Sequence, residues 1–217
     1  MKLRISYNSP VILTFALVCA VVLLIDQVTI GFGAGPGPVI RTFFLLPPTF
    51  AARSLLSWLT LFTYVIGHVG WAHLIGNFSF ILLIGPVLEE KYGSVPLLLM
   101  MLVTALATAI LNMLIVRTGL LGASGIAFMM ILLSSFTNIR QGQIPITFLL
   151  IIVLYLAREF VNALSPNTVS ELAHIAGGLI GGVFGFLFSA KERIAAVPAG
   201  QEPAARTRQI DPPNKKE

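Results

Sequence analysis

The sequence predicts an all-α, polytopic membrane protein, a bundle of six transmembrane helices with a long interfacial loop between helices 1 and 2.

 

Two observations predict this six-helix membrane fold. Hydrophobic residues make up 56% of the 217 residues and charged residues only 11%, whereas a soluble domain carries about 25% charged residues. The mean hydropathy is correspondingly high, at +0.90. A chain with so little polar surface needs lipid as its solvent, so the lipid bilayer is its first expected partner.

The apolar residues are collected into runs, and a bilayer-spanning helix needs about 20 of them in succession. The candidate spans are Val11–Ile30, Leu61–Leu88, Val95–Val116, Ala123–Ile139, Ile144–Leu164 and Val169–Ser189. Lys2 and Arg4 precede the first run, which could therefore be read as a signal peptide. Its apolar core is long for that interpretation and no small-x-small cleavage site follows, which favours an uncleaved helix.

Two segments fall outside the predicted spans. Gly31–Trp58 is a long loop between helices 1 and 2, rich in Gly and Pro at first and then strongly apolar. Its apolar half would be costly in water, which places it in the membrane interface or back in the bilayer against protein. Residues 190–217 mix charge with proline and predict a disordered cytoplasmic tail. Residues 1–189 then form the transmembrane domain.

The distribution of basic residues predicts the orientation. With six spans both termini share one side, and only Arg41, Arg53, Arg117 and Arg158 fall on the other. Because Lys and Arg concentrate in cytoplasmic loops, both termini should be cytoplasmic, with the chain in the cell (inner) membrane. The basic residues lie mostly at chain ends and between apolar runs, and they give no sign of a nucleic-acid partner. The oligomeric state is not readable.

Ser124 is the first candidate for chemistry. It lies in the first turn of the fourth span, between Gly122 and Gly125. Backbone N–H groups at a helix start lack intrahelical partners and carry the positive end of the helix dipole, which suits them to stabilise an oxyanion. The flanking glycines let backbone and substrate approach closely. The fourth span is short, so Ser124 should lie in a recess below the outer membrane surface.

His174 is the second candidate. It lies about one turn inside the sixth span, at a depth comparable with that of Ser124. A stripe of small residues follows it at four-residue spacing, and such stripes let helix backbones pack closely. Helix packing alone would explain the glycines, but the same packing could bring His174 beside Ser124 as its base. No Asp or Glu is placed as a third member, so a Ser–His dyad is predicted.

His73 and Asn77 are four residues apart and share one face of the second span. Hydrogen bonding between helices would explain them, and a channel or transporter path is a further alternative.

The residues that other classes of intramembrane protease require are missing from the sequence. No His-Glu-x-x-His zinc motif occurs, and Asp is found only at Asp26 and Asp211, so a shared pair of membrane aspartates is excluded. We expect neither a metal nor a cofactor.

Three motifs together resemble the rhomboid family of intramembrane serine proteases. They are Gly-His-Val-Gly-Trp-Ala-His-Leu-Ile-Gly-Asn at 67–77, Gly-Ala-Ser-Gly at 122–125 and Ala-His-Ile-Ala-Gly-Gly at 173–178. Their order and their placement on helices 2, 4 and 6 agree with that family. The acidic turn at 88–94 is similar as well. The opening loop departs from the family, which often has Trp-Arg where this chain has Trp58-Leu59.

The resemblance implies a role for each matched residue. Ser124 is the nucleophile and His174 the general base and later acid, while His73 and Asn77 donate to the oxyanion. His68 supports the mouth of the site, and Glu89 holds neighbouring helix ends together. The predicted function is an intramembrane serine endopeptidase that cleaves transmembrane-anchored proteins in or near their membrane segment. The alternative is a non-catalytic relative that binds transmembrane clients; members of that kind usually lack the serine or the histidine, and both are present here.

Overall fold

The computed structural model describes residues 7–31, 35–137 and 176–184, together with the single residues 146, 150, 153 and 187. All regular structure in this part of the chain is helical, and one isolated β-bridge is its only strand-like pairing. The predicted fifth span apart from three residues, the first part of the sixth span and the tail at 190–217 lie outside the described residues.

Six α-helices are described before residue 138. They are α1 (Pro10–Ile30), α2 (Pro38–Phe43), α3 (Leu55–Thr63), α4 (Trp71–Tyr92), α5 (Ser94–Leu111) and α6 (Ser124–Thr137). A single π-helical turn, Asn112–Val116, extends α5. Helix α4 lies centrally and contacts α1, α5 and α6. The first and third predicted spans are confirmed as helices to within one residue.

The predicted second span, Leu61–Leu88, was wrong at its start. Helix α3 ends at Thr63, residues 64–70 form turns and bends, and α4 begins only at Trp71. Two glycines lie in the break. At Gly67 the side chains of Leu121 and Phe44 occupy the space that a Cβ would need. Gly70 has φ 176° and ψ 179°, an extended conformation that no helix residue adopts.

The segment 31–58 contains more regular structure than the sequence predicted. Helix α2 begins at Pro38, where the absent proline N–H costs no hydrogen bond. Helix α3 begins after Ser54, whose hydroxyl accepts from the Ser57 N–H. Between them Leu46 is fully buried and pairs with Leu120. The apolar half of the segment is therefore held against the protein.

Within the described residues, α1, α4 and Ser94–Val116 are long and apolar enough to cross a membrane. Helix α6 is apolar as well, and its 14 described residues are Ser124–Thr137. Large apolar side chains on the long helices face outward, among them Val28, Leu83 and Val95, each more than half exposed. In water this surface would be unfavourable, whereas in lipid it meets acyl chains.

The carboxylate of Glu89 joins three helices. It is buried near the end of α4, where Oε1 accepts from the Val11 N–H and Oε2 accepts from the Ile12 N–H, both at 3.0 Å. The Ser94 hydroxyl at the start of α5 donates to Oε1 at 2.7 Å. Since the first N–H groups of α1 have no partner in their own helix, Glu89 serves as their cap from another helix.

We expect Glu89→Gln to lower the free energy of unfolding by about 1–3 kcal/mol. The amide nitrogen would face a backbone N–H that needs an acceptor, and that N–H would stay buried and unsatisfied. Thermal unfolding in detergent micelles measures the change. Glu90→Gln is the matched control, because Glu90 is exposed on the next position of the same helix. Equal melting temperatures for both variants would contradict the capping role.

Candidate active site

The loop before Ser124 is fixed by its backbone. Arg117 has a left-handed φ of 57° and its N–H donates to the Asn112 carbonyl, which ends the π-helical turn. Gly122 has φ +114°, and its N–H donates to the Tyr64 carbonyl at 2.9 Å. Because L side chains rarely adopt that φ, the glycine is what lets the chain turn into α6. Ser124 then begins α6 and is half-buried.

A second backbone contact holds the same loop from outside. Leu46 and Leu120 each donate an N–H to the other's carbonyl, at 3.0 and 3.1 Å. This is the hydrogen-bonded type of antiparallel pair. The segment after α2 is therefore tied to the chain four residues before Ser124.

His73 and Asn77 of α4 lie against Gly122. A Cβ at position 122 would be 2.5 Å from His73 Cε1, 2.9 Å from His73 Nε2 and 3.5 Å from Asn77 Nδ2. Asn77 Nδ2 is buried and has no hydrogen-bond partner among the residues that the structure describes. Two nitrogen-bearing side chains thus converge on the glycine two residues before the Ser124 hydroxyl.

His68 lies behind His73 and is fully buried. The two rings meet edge to face with centroids 5.1 Å apart, and His68 Nδ1 is 3.0 Å from the Ile66 carbonyl oxygen. Burial, together with the neighbouring His73, lowers the pKa of His68 to about 4, against the opposing effect of that carbonyl. His68 is therefore a neutral ring at physiological pH, and it packs against His73 without adding a charge.

The helical segment 176–184 packs directly on α6. A Cβ at Gly177 would overlap the backbone of Gly125, and one at Gly181 would overlap the backbone of Met129. The contacts advance by four residues on both helices, so the two run in the same direction. Gly125 thus lies at a close backbone approach, as its position beside Ser124 led us to expect. His174 lies outside the described residues.

Of the predicted site residues, the structure brings Gly122, His73, Asn77 and His68 together beside Ser124. Glu89 lies near the other end of α4, away from this cluster, where it caps α1. Sequence analysis missed the part played by Tyr64, which acts through its backbone carbonyl and so leaves no sign in its residue type. No group of three or more metal-ligating side chains occurs in the described part of the chain.

The pKa of His68 predicts a pH dependence of stability. In the unfolded chain its pKa is about 6.5, so the unfolded state binds the proton first as the pH falls. The stability associated with neutral His68 is complete above about pH 6.5 and is lost as the pH falls toward 4, by up to about 3 kcal/mol. Unfolding curves between pH 4 and 8 measure this loss. A His68→Gln variant should show a flatter profile; an equally steep profile would contradict the prediction.

Comparison with known proteins relates most of this region to one family. Residues 56–191 match the family model described as Rhomboid domain. The chain is 23% identical to Rhomboid protease GlpG of Haemophilus influenzae over 130 residues, which cover 58% of this chain and 68% of that protein. It is 26% identical to Rhomboid-like protein 11, chloroplastic, of Arabidopsis thaliana over 149 residues, 61% of this chain and 53% of that protein.

The matched domain covers more than half of the chain and contains Ser124, His73, Asn77 and His174. The described helices are of the length and composition that cross membranes. The chain therefore belongs to the rhomboid family of multi-pass membrane proteins.

Proposed function

We propose that this protein is an intramembrane serine endopeptidase with Ser124 as nucleophile and His174 as general base. The observation that carries the proposal is the convergence of His73 and Asn77 on Gly122, two residues before a serine that begins a helix. The Asn77 amide nitrogen is buried and has no partner in the described structure, which leaves its N–H groups available to donate. We propose that they donate to the oxyanion that forms during the reaction.

The proposed reaction is acyl transfer to serine. Ser124 Oγ attacks the scissile carbonyl carbon while His174 takes the hydroxyl proton, and the carbonyl oxygen becomes an oxyanion. The Ser124 backbone N–H, a ring N–H of His73 and the Asn77 amide donate to that oxyanion. His174 then gives its proton to the leaving amine, and water hydrolyses the acyl-enzyme with His174 as base again.

The packing of the segment 176–184 on α6 supports the choice of His174 as the base. Gly177 lies on Gly125 and Gly181 lies on Met129. In the sequence, His174 precedes Gly177 by three residues and Ser124 precedes Gly125 by one.

The substrates we propose are proteins with a transmembrane anchor, cleaved in or near that segment. A site on helices within the bilayer meets such segments laterally, and the relative from Haemophilus influenzae is named a protease. We further propose a six-helix core at 1–189, cytoplasmic termini and a cell-membrane location, in line with the distribution of Lys and Arg. Client binding without catalysis is the other candidate and becomes an outcome of the tests.

We expect Ser124→Ala and His174→Ala each to abolish cleavage of a co-expressed single-span substrate, because each removes one half of the nucleophilic pair. Immunoblotting for the shed fragment measures cleavage, and the blot of the enzyme itself checks its expression. A fluorophosphonate probe should label the wild-type protein and not Ser124→Ala. Cleavage that survives both substitutions would refute the assignment. Substrate that co-purifies with the wild-type protein and stays intact would favour client binding.

The oxyanion role predicts a separate effect on turnover. His73→Ala and Asn77→Ala should each lower kcat by about 10²–10³-fold with little change in KM, since the donors act on charge that develops in the transition state. Cleavage of a fluorogenic transmembrane peptide in micelles gives both constants. Ser79→Ala is the matched control, because Ser79 lies exposed on the same helix and its hydroxyl donates to the Ile75 carbonyl. A change in KM alone would contradict the role.

A further inference from the structure

Asp26 forms a buried clamp that the proposed reaction does not use. It lies in the last turns of α1 and is fully buried. Its Oδ2 accepts from the Gly37 N–H at 2.6 Å, and its Oδ1 accepts from the Ile40 N–H at 3.0 Å. Both donors belong to the start of α2. One carboxylate of a long helix therefore fixes the position and direction of the segment that follows it.

The segment 37–46, which we name the outer strap, carries this constraint to the site. The Ile40 carbonyl accepts from the N–H groups of Phe44 and Leu45, at 3.0 and 2.9 Å. The next residue, Leu46, forms the reciprocal backbone pair with Leu120. A continuous series of hydrogen bonds thus runs from Asp26 through the outer strap to the loop that ends in Ser124.

We infer that Asp26 is a positioning residue: it holds the outer strap so that the Leu46–Leu120 pair keeps the Ser124 loop in place. The inference about turnover rests on the proposed protease function, whereas the inference about the loop does not. In the described part of the chain, the Asp26 carboxylate accepts from Gly37 and Ile40, which include neither the proposed nucleophile nor a proposed oxyanion donor. Its effect passes through the backbone.

The geometry requires a carboxylate at this position. Two backbone donors meet two oxygens, and in a buried site each needs an acceptor. Asparagine would offer one oxygen and turn its NH₂ toward the other donor. Gly37 is matched to the clamp as well, because a Cβ there would lie 2.7 Å from Asp26 Oδ1 and 3.0 Å from Cγ. Gly37→Ala therefore perturbs the clamp without altering the carboxylate.

Hydrogen exchange tests the inference without reference to activity. In Asp26→Asn and in Gly37→Ala, amides of residues 37–46 and 119–122 should exchange about ten-fold faster or more, with α4 and α5 unchanged. Gly76→Ala is the matched control, since no described residue lies within 4 Å of a Cβ there. Unchanged exchange at 119–122, or faster exchange across the whole protein, would overturn the inference.

Turnover supplies the second measurement. If the wild-type protein cleaves its substrate, both clamp variants should lower kcat by about ten- to a hundred-fold with KM nearly unchanged, since small misplacement of a nucleophile has effects of that size. If the wild-type protein shows no cleavage, that result would count against the protease function. The hydrogen-exchange measurement would still decide whether the clamp holds the Ser124 loop.

A disulfide that joins the outer strap to the Ser124 loop should rescue the clamp variants. Hydrogen-bonded antiparallel pairs have Cα atoms about 5.5 Å apart, within the range of about 4.4–6.8 Å that disulfides span. Added to Asp26→Asn, the pair Leu46→Cys and Leu120→Cys should restore slow exchange at 119–122, and with it kcat, when oxidised and not when reduced. Should Asp26→Asn fail to fold, the same pair is placed in Gly37→Ala. Absence of rescue in the oxidised protein would overturn the inference.

Discussion

The close approach of α4 to the chain at Gly122 is the constraint on which the site depends. Only a residue without a side chain can combine a φ of +114° with His73 and Asn77 at contact distance. The turn directs the chain into α6, so the position of Ser124 follows from it. The Tyr64 carbonyl and the Leu46–Leu120 pair then hold the turn from two other sides. Rigidity here is a property of the backbone more than of the side chains.

Two buried carboxylates fasten α1 at its opposite ends. Glu89 accepts from the N–H groups that open α1, and Asp26, near the end of α1, accepts from those that open α2. Within a bilayer an unpaired backbone N–H group cannot hydrogen-bond to water. An acceptor from a neighbouring helix therefore stabilises the fold more there than it would at a water-exposed surface. The same chemistry thus sets both the packing of the bundle and the path of the outer strap.

The sequence allowed the first and third apolar helices to be predicted to within one residue, because length and composition decide what lipid can solvate. The motif residues also led to the cluster at Gly122, His73 and Asn77. The sequence did not reveal the break at 64–70, since the apolar run continues through it. The sequence predicted no role for Asp26 beyond excluding a shared pair of membrane aspartates. Its partners are backbone N–H groups, which carry no sign in the residue types.

The surroundings of His73 bear on how an oxyanion could be stabilised there. Donors aimed at a developing charge act most strongly where water is excluded and where they do not need to reorient. His68 packs edge to face on the His73 ring, and its burial keeps it neutral, so it restrains the ring without a cation that would compete for the same charge. Asn77 is held buried one helical turn away. Under the proposed function, the two donors on this face of α4 are preorganised before any substrate arrives, and the Ser124 loop has only to be kept against that face.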